Sequence, residues 1–355
     1  MKSYNIFIFL FYVISIFFYG CNNNHKPAAH SNCKKIYPKY AKGFSINYYE
    51  DSTNIVVYTN FGIKDSLEIK IPQNITSIAC FSSTHLAAIS LLGKDHMVSA
   101  FSSKKYIYDL HKYRSDLIEI GEPNNIQFEK LLAHKPSIVI LFGIDNQVNQ
   151  TIGLLQKVEI PCFLNLEYKE EHPLAQAEWI KFFGALLHEE QKADSIFDFV
   201  EREYLSQKVS DTGQYRPLVM INFPWRGTWF ISGNKTLISK YIEDAGGNYT
   251  FNDSSIQGNI PMNFEKVFKT CKNADIWLHP GIATRKKDMI SSEPNVNQFL
   301  AYKKDMIFNN NKRMNSTGCN DFFESATMRP DLVLSDLKKI FQQDTNNLNY
   351  YRKIY

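Results

Sequence analysis

Glu189-Glu190-Gln191-Lys192-Ala193-Asp194-Ser195-Ile196-Phe197-Asp198-Phe199-Val200-Glu201-Arg202-Glu203-Tyr204 is the stretch on which the fold turns. Ala193, Ile196, Phe197, Val200 and Tyr204 recur in it at helical spacing. It closes a helical segment, residues 173–209, whose first half puts Ile180, Phe183 and Leu187 on one face. Some twenty residues of helix reach about 30 Å, roughly the width of a lobe. On both sides of this rod the pattern is different. Before it, Ile75-Thr76-Ser77-Ile78-Ala79-Cys80-Phe81 reads as a short apolar strand, Ser82-Ser83-Thr84 offers helix caps, and residues 86–93 form a helix closed by Gly93. A strand at 96–101, a helix at 126–134, a strand at 137–142, a helix at 148–156 and a strand at 161–166 follow. Beyond the rod come a strand at 218–223, a turn leading into a helix across 232–247, a helix at 264–270, a strand at 274–279 and a helix at 333–341. Strand–helix alternation of this kind means a mostly parallel sheet covered by helices. The expected fold is therefore α/β: two Rossmann-like lobes bridged by one long helix.

The boundaries follow from the same pattern. Residues 43–172 make an N-terminal lobe, 173–209 the helical segment and 210–342 a C-terminal lobe. Residues 43–71 alternate apolar and polar, as paired strands do. Residues 343–355 are a polar and aromatic tail with no predicted element.

At the N-terminus Lys2 precedes a thirteen-residue apolar stretch at 6–18, then Gly20-Cys21. One positive charge, a short greasy run and a small residue before the cut describe a secretory signal. At ~1.5 Å per residue the run covers about 20 Å, short of the ~30 Å hydrocarbon core of a bilayer. Gly20-Cys21 resembles the lipobox of bacterial lipoproteins, although Phe18 and Tyr19 stand where a Leu and a small residue are usual. Residues 1–21 are thus a signal peptide with Cys21 as the expected lipidated residue. Residues 22–42 are a polar tether. The other five cysteines stand singly, and their spacing predicts no particular disulfide; Cys80 and Cys162 lie in strand-like runs and are expected to be buried.

Composition narrows the class. The chain is 44% hydrophobic and 21% charged, which excludes disorder and coiled coil as its main state. A net charge of +4 over 355 residues, with no basic cluster larger than Arg285-Lys286-Lys287, argues against nucleic-acid binding. An aromatic share of 14% needs large cores or a stacking surface.

The halves echo one another. Phe128-Glu129-Lys130 leads through a short helix to Ser137-Ile138-Val139-Ile140, and Phe264-Glu265-Lys266 leads in the same way to Ala274-Asp275-Ile276-Trp277-Leu278. A repeated unit at matching places implies two similar lobes with corresponding surfaces.

Four further pieces complete a pattern: Gly121-Glu122-Pro123 with residues 126–140, Trp179-Ile180-Lys181-Phe182-Phe183, Gly227-Thr228-Trp229-Phe230-Ile231-Ser232-Gly233 leading to Asp244-Ala245-Gly246-Gly247, and Asn320-Asp321-Phe322-Phe323-Glu324 with Arg329-Pro330-Asp331-Leu332. In this order along residues 71–341 they resemble the periplasmic binding proteins of ABC importers for iron chelates and cobalamin. The resemblance implies a ligand held in a cleft between the lobes, a monomer, and delivery to a permease dimer with its ATPase subunits. It implies that Glu129 and Glu265, one per lobe, dock to permease arginines. It places the protein outside the cytoplasm, lipid-anchored at the cell envelope and facing the periplasm. No catalytic residue, metal site or cofactor is implied; the bound molecule is a ferric siderophore, haem or cobalamin. The stiff bridging helix implies only small closure.

The cleft is expected at the C-terminal ends of the strands. Loops 81–85, 101–106, 142–146, 223–229, 279–285 and 313–323 then supply Ser83, His85, Tyr106, Phe142, Phe223, Trp225, Trp229, His279, Arg285, Arg313 and Phe322. Phe223-Pro224-Trp225-Arg226-Gly227-Thr228-Trp229 is the richest: tryptophans beside a guanidinium suit a planar anionic ligand. His85, His279 and Tyr106 can ligate iron, and Arg226, Arg285 and Arg313 can meet carboxylates of a ferric chelate, which favours iron over cobalamin.

Other classes fit less well. A bare zinc or manganese binder needs converging His, Asp and Glu ligands, whereas these loops are aromatic. Ser232-Gly233-Asn234-Lys235-Thr236 looks like the tail of a phosphate loop but lacks its glycine spacing. No G-x-S-x-G or H-E-x-x-H motif marks a hydrolase. An exported enzyme is the rival from another class.

Overall fold

A computed structural model describes residues 33–59, 66–122, 125–143, 146–210, 213, 215–253, 255 and 258–355. The signal stretch and Cys21 lie outside these residues.

The chain opens with an antiparallel meander of β1 (Lys34–Ile36), β2 (Phe44–Tyr48), β3 (Thr53–Tyr58) and β4 (Ser66–Lys70) in that spatial order. The predicted strand pairs at 43–71 are β2, β3 and β4. The first main sheet holds β5 (Ile78–Cys80), β6 (Val98–Phe101), β7 (Ile118–Glu119), β10 (Ile138–Phe142) and β11 (Cys162–Asn165), every pair parallel. A two-stranded ribbon of β8 (Gly121–Glu122) and β9 (Asn125–Ile126) stands beside it. Ile78, Ala79, Ile138, Val139 and Ile140 are buried without alternation, as strands covered on both faces must be. The helices here are α1 (Ser83–Leu91), α2 (Phe128–His134) and α3 (Asn146–Lys157).

The connecting segment is three helices: α4 (Pro173–Glu178), α5 (Ile180–Leu186) and α6 (Glu190–Gln207). The left-handed backbone of His188 (φ 56°) breaks it before α6. At Gly184 a Cβ would lie 2.4 Å from that of Ala193, so glycine is what lets α5 and α6 pack so closely. Ala193, Phe197 and Val200 sit in the core of the first lobe, and Tyr204 in the core of the second. With 18 residues, α6 is about 27 Å long and runs from one core to the other.

The second main sheet contains β12 (Leu218–Ile221), β14 (Asn248–Tyr249), β16 (Ile276–Leu278), β17 (Ile307–Asn309) and β18 (Arg352–Lys353); β13 (Trp229–Ser232) and β15 (Asn259–Met262) pair separately. Its helices are α7 (Leu237–Asp244), α8 (Phe264–Cys271), α9 (Lys286–Ser292), α10 (Leu300–Lys303), α11 (Phe322–Ser325) and α12 (Pro330–Phe341). The Ser-Gly-Asn-Lys-Thr run is a cap: Thr236 closes a capping box with Ser239 at the start of α7.

Counted by appearance within each lobe, the first sheet runs 3-2-1-4-5 and the second 2-1-3-4-5. Strand order therefore reverses between β5 and β10 in one lobe and between β12 and β16 in the other. α2 and α8, the helices opened by the two Phe-Glu-Lys copies, lead into β10 and β16 respectively.

Two boundaries move. The expected tether to residue 42 ends sooner: β1 pairs with β2, and the backbone N–H groups of residues 39–43 donate to the carboxylates of Glu178 and Glu170. The tail at 343–355 is core: β18 pairs with β17, Tyr350 and Tyr351 are fully buried, and Asp336 accepts hydrogen bonds from the backbone N–H groups of residues 349–351. Spacing alone could not show this, because a two-residue strand has no period.

Candidate functional site

The strand ends at both reversal points face one cleft of about 960 Å³. This is the place where an open α/β sheet leaves a crevice for a ligand. From the first lobe, Phe81 and Ser83 follow β5, Phe101 ends β6 and Phe142 ends β10. Asn222 follows β12, His279 follows β16, and Asn309-Asn310-Asn311 end and follow β17 in the second lobe. A crossing segment, residues 313–325, lines it too and bonds across to the first lobe. Asn315 Nδ2 donates to the Tyr108 carbonyl at 2.8 Å, and the Tyr108 N–H donates to Glu324 Oε2 at 3.1 Å.

The lining is aromatic and amide-rich. Lys105 and Glu122 are its lysine and its carboxylate, and they pair with each other at 3.1 Å. Asn309 is committed to the Gly281 and Ala283 carbonyls, and Asn311 donates to Ala283 while accepting from Arg352. The Asn310 side chain has no partner among the described residues and is free for a ligand. His279 stacks on Tyr351 with rings 5.5 Å apart, and its Nε2 lies 2.6 Å from the Tyr351 hydroxyl. Desolvation pushes the His279 imidazole down to about 4, so it is neutral at physiological pH. Any iron ligated there has to compete for Nε2 or use Nδ1.

Of the predicted residues, Ser83, Tyr106, Phe142, His279 and Phe322 line this cleft. Phe223 and Trp225 line an adjoining pocket together with Arg226. Four residues are elsewhere. His85 is fully buried on the inner face of α1 against Phe142 and Phe183, neither ring nitrogen has a partner, and burial pushes its imidazole down to about 3. It supports the wall of the cleft without reaching it. Trp229 is fully buried and stacks on Trp277 at 5.7 Å, a core residue on the inward side of β13. Arg285 pairs with Asp288 at 3.1 Å in the first turn of α9, and Arg313 pairs with Asp321 at 3.0 Å beneath the Tyr350 ring. Both guanidiniums are spent on protein carboxylates, so the cleft is less cationic than the sequence implied.

The asparagine run at 309–311 escaped sequence reading. Its signal was present: three amides directly after the apolar pair Ile307-Phe308 mark the C-terminal end of a strand, where ligand contacts collect. Among the described residues no three His, Cys, Asp or Glu side chains cluster as a metal site, and no helix is long and apolar enough to cross a membrane. Glu129 and Glu265 are each the second residue of their helices, exposed, with no ion pair or hydrogen bond among the described residues.

Two α/β lobes joined by helices, with one crevice at both strand-order reversals, define the two-lobed architecture of a binding protein. The chain belongs to the periplasmic binding protein family, whose model matches residues 55–314. It is 24% identical to an uncharacterized lipoprotein of Methanocaldococcus jannaschii over 91% of this chain and 87% of that protein. Among solved structures, it is similar to a periplasmic haem-binding protein from Roseiflexus, with TM-score 0.60, 18% identity and coverage of 77% of this chain and 100% of the other. A protein of an Fe3+-hydroxamate transport system from Saccharomonospora viridis gives TM-score 0.57 at 18% identity, covering 78% and 96%. At these identities the likeness carries the fold. The two-lobed reading of the sequence holds.

Proposed function

We propose that this protein is the substrate-binding lipoprotein of an ABC importer, anchored through Cys21, and that it captures a metal chelate and presents it to the membrane permease. The observation that carries the reading is the cleft itself: about 960 Å³, walled by phenylalanines from both lobes and floored by asparagines. Flat apolar walls bury a chelate's organic shell, and the few polar groups orient it. A ferric chelate, siderophore or haem, is the first reading, supported by the haem and Fe3+-hydroxamate named for the two similar structures. A corrinoid is the second, because an amide-lined cleft with its one lysine paired suits a ligand rich in carboxamides more than a strongly anionic one. Glu129 and Glu265 are the proposed docking carboxylates, one on each lobe. No catalytic step belongs to this cycle, and ATP hydrolysis by the partner subunits drives release.

Visible absorbance decides among ligands. Purified protein is titrated with haem, a ferric trihydroxamate and cyanocobalamin, and one of the three is expected to bind saturably with a shifted band. Failure of all three removes the reading.

A further inference from the structure

Beside the cleft lies a second compartment of about 520 Å³. Phe223, Trp225 and Arg226, from the turn after β12, form one side; Pro280 and Asp288 form the other, and Gly281 and Ile282 line both spaces. Trp225 is 67% exposed, whereas Trp179, Trp229 and Trp277 are fully buried. An indole left in water forgoes the stabilisation that its large apolar area would bring on burial. The turn that carries it is also costly. Trp225 and Thr228 exchange both backbone hydrogen bonds, at 2.8 and 3.0 Å, around Arg226 (φ 50°) and Gly227 (φ 77°). Two successive left-handed residues favour Asn-Gly at such a tip, yet the first is arginine. Asn222 (φ 68°) and His279 (φ 55°), each one residue before a residue lining this compartment, are left-handed too and line the main cleft. Backbone strain gathered in one place accompanies ligand contacts more often than mere connection.

Charge completes the picture. The Asp288 carboxylate is already satisfied by Arg285, by the Thr284 hydroxyl and by backbone N–H groups. Arg226 has no ion pair among the described residues, and its guanidinium lies 5.6 Å from the Trp225 ring centre. A cation with no carboxylate partner among the described residues thus lies over one face of a largely exposed indole, one step from the cleft.

We propose that this side compartment receives a peripheral arm of the captured ligand carrying a planar ring and an anionic group, the ring on Trp225 and the anion on Arg226. The inference rests on the ligand-capture reading of the cleft, but its test does not require the chelate. The full chain is labelled with 5-fluorotryptophan, and the Trp225 signal is assigned by Trp225→Phe. Phenyl phosphate, inorganic phosphate and benzyl alcohol are then titrated and followed by fluorine resonance. Phenyl phosphate is expected to shift that signal saturably and to bind about tenfold tighter than either fragment, the worth of adding one charge-assisted contact to one stacking contact. Arg226→Gln should bring phenyl phosphate down to the benzyl alcohol level while the three buried tryptophan signals stay in place, and Arg226→Lys should restore part of the difference. An unsaturable response, equal binding of phosphate alone, or an unchanged Arg226→Gln titration overturns the proposal. Chelate binding without phenyl phosphate binding ends the side compartment alone; phenyl phosphate binding with no chelate bound ends the chelate reading alone.

Discussion

Trp225 and Trp229 stand four residues apart and have opposite fates. The alternation of β13 turns Trp229 and Ile231 inward and Phe230 outward, whereas Trp225 sits at the tip of the preceding turn. Trp229→Ala is therefore expected to cost about 3–5 kcal/mol of stability, and Trp225→Ala about 0.5 kcal/mol or less, both read from urea denaturation. Similar losses for both would contradict the assignment. Glu324 makes a pH-dependent case. Burial, with Asp321 and Asp109 adding to it, pushes its carboxyl up to about 7, against the opposing Tyr108 N–H and Lys112. The folded protein then holds a proton that the unfolded chain has released, so stability falls as pH rises from about 4.5 to about 7, with a slope of at most about 1.4 kcal/mol per pH unit. Glu324→Gln keeps an acceptor for Tyr108 and loses the charge. It should melt higher than the parent above pH 7 and converge with it below pH 5; a constant offset would show that the carboxyl does not titrate there. Position at or just after the ends of strands made Ser83, Tyr106 and Phe142 legible in the sequence as residues lining the cleft. His85 was misplaced because the first turn of α1 rotates it inward, and a helical face is set by packing partners that a short apolar run does not reveal.

Elements with a strong period were the most legible. α6 was anticipated from Glu189 to about Val209 and spans Glu190–Gln207, because its apolar stripe satisfies both cores. The parallel strands were visible as short apolar runs after caps and turns. What the pattern missed was fixed by hydrogen bonds to distant side chains as well as by burial. Glu178 accepts from the backbone N–H groups of residues 39, 40 and 41 at 2.7–3.0 Å, and Glu170 accepts from residues 42 and 43 and from the Trp179 indole. Five consecutive peptide groups thus end on two side chains, Glu178 of α4 and Glu170 just before it. A polar run before the first long strand reads as a tether unless those partners, more than a hundred residues away, are known. Tyr40 from this run packs against both cores, so the clasp fixes the chain entry at the junction of the lobes. Glu178→Gln replaces one acceptor oxygen with an amide N–H facing backbone donors. A loss of about 1–3 kcal/mol is expected by urea denaturation, together with faster proteolysis near residue 40. An unchanged midpoint and cleavage pattern would mean that the clasp contributes nothing.

On the scale of the whole molecule, two differently ordered sheets bring their reversal points to one cleft, and two ties hold the lobes: α6, and the crossing segment bonded through Asn315, Glu324 and Tyr108. Ties at separate places oppose a wide hinge motion, so recognition by the permease has to read fixed surfaces on the two lobes. The proposed docking carboxylates meet that need. A helix between parallel strands runs back along the sheet, so the starts of α2 and α8 lie at the same edge as the strand ends that line the cleft. Glu129 and Glu265 are exposed there, and each helix dipole favours the charge at its N-terminus. A pair of rim charges on rigid bodies fixes register and steers encounter more than it adds affinity. Glu129→Arg or Glu265→Arg alone is expected to slow uptake by at least about tenfold in vesicles carrying the permease, and both together to abolish it. The ligand dissociation constant should stay within about twofold of the parent, since neither residue is part of the cleft lining. Raised ionic strength should weaken receptor–permease association in the parent and leave the double variant unaffected. Full uptake by the double variant would remove these carboxylates from the interface, and lost ligand binding would make them structural.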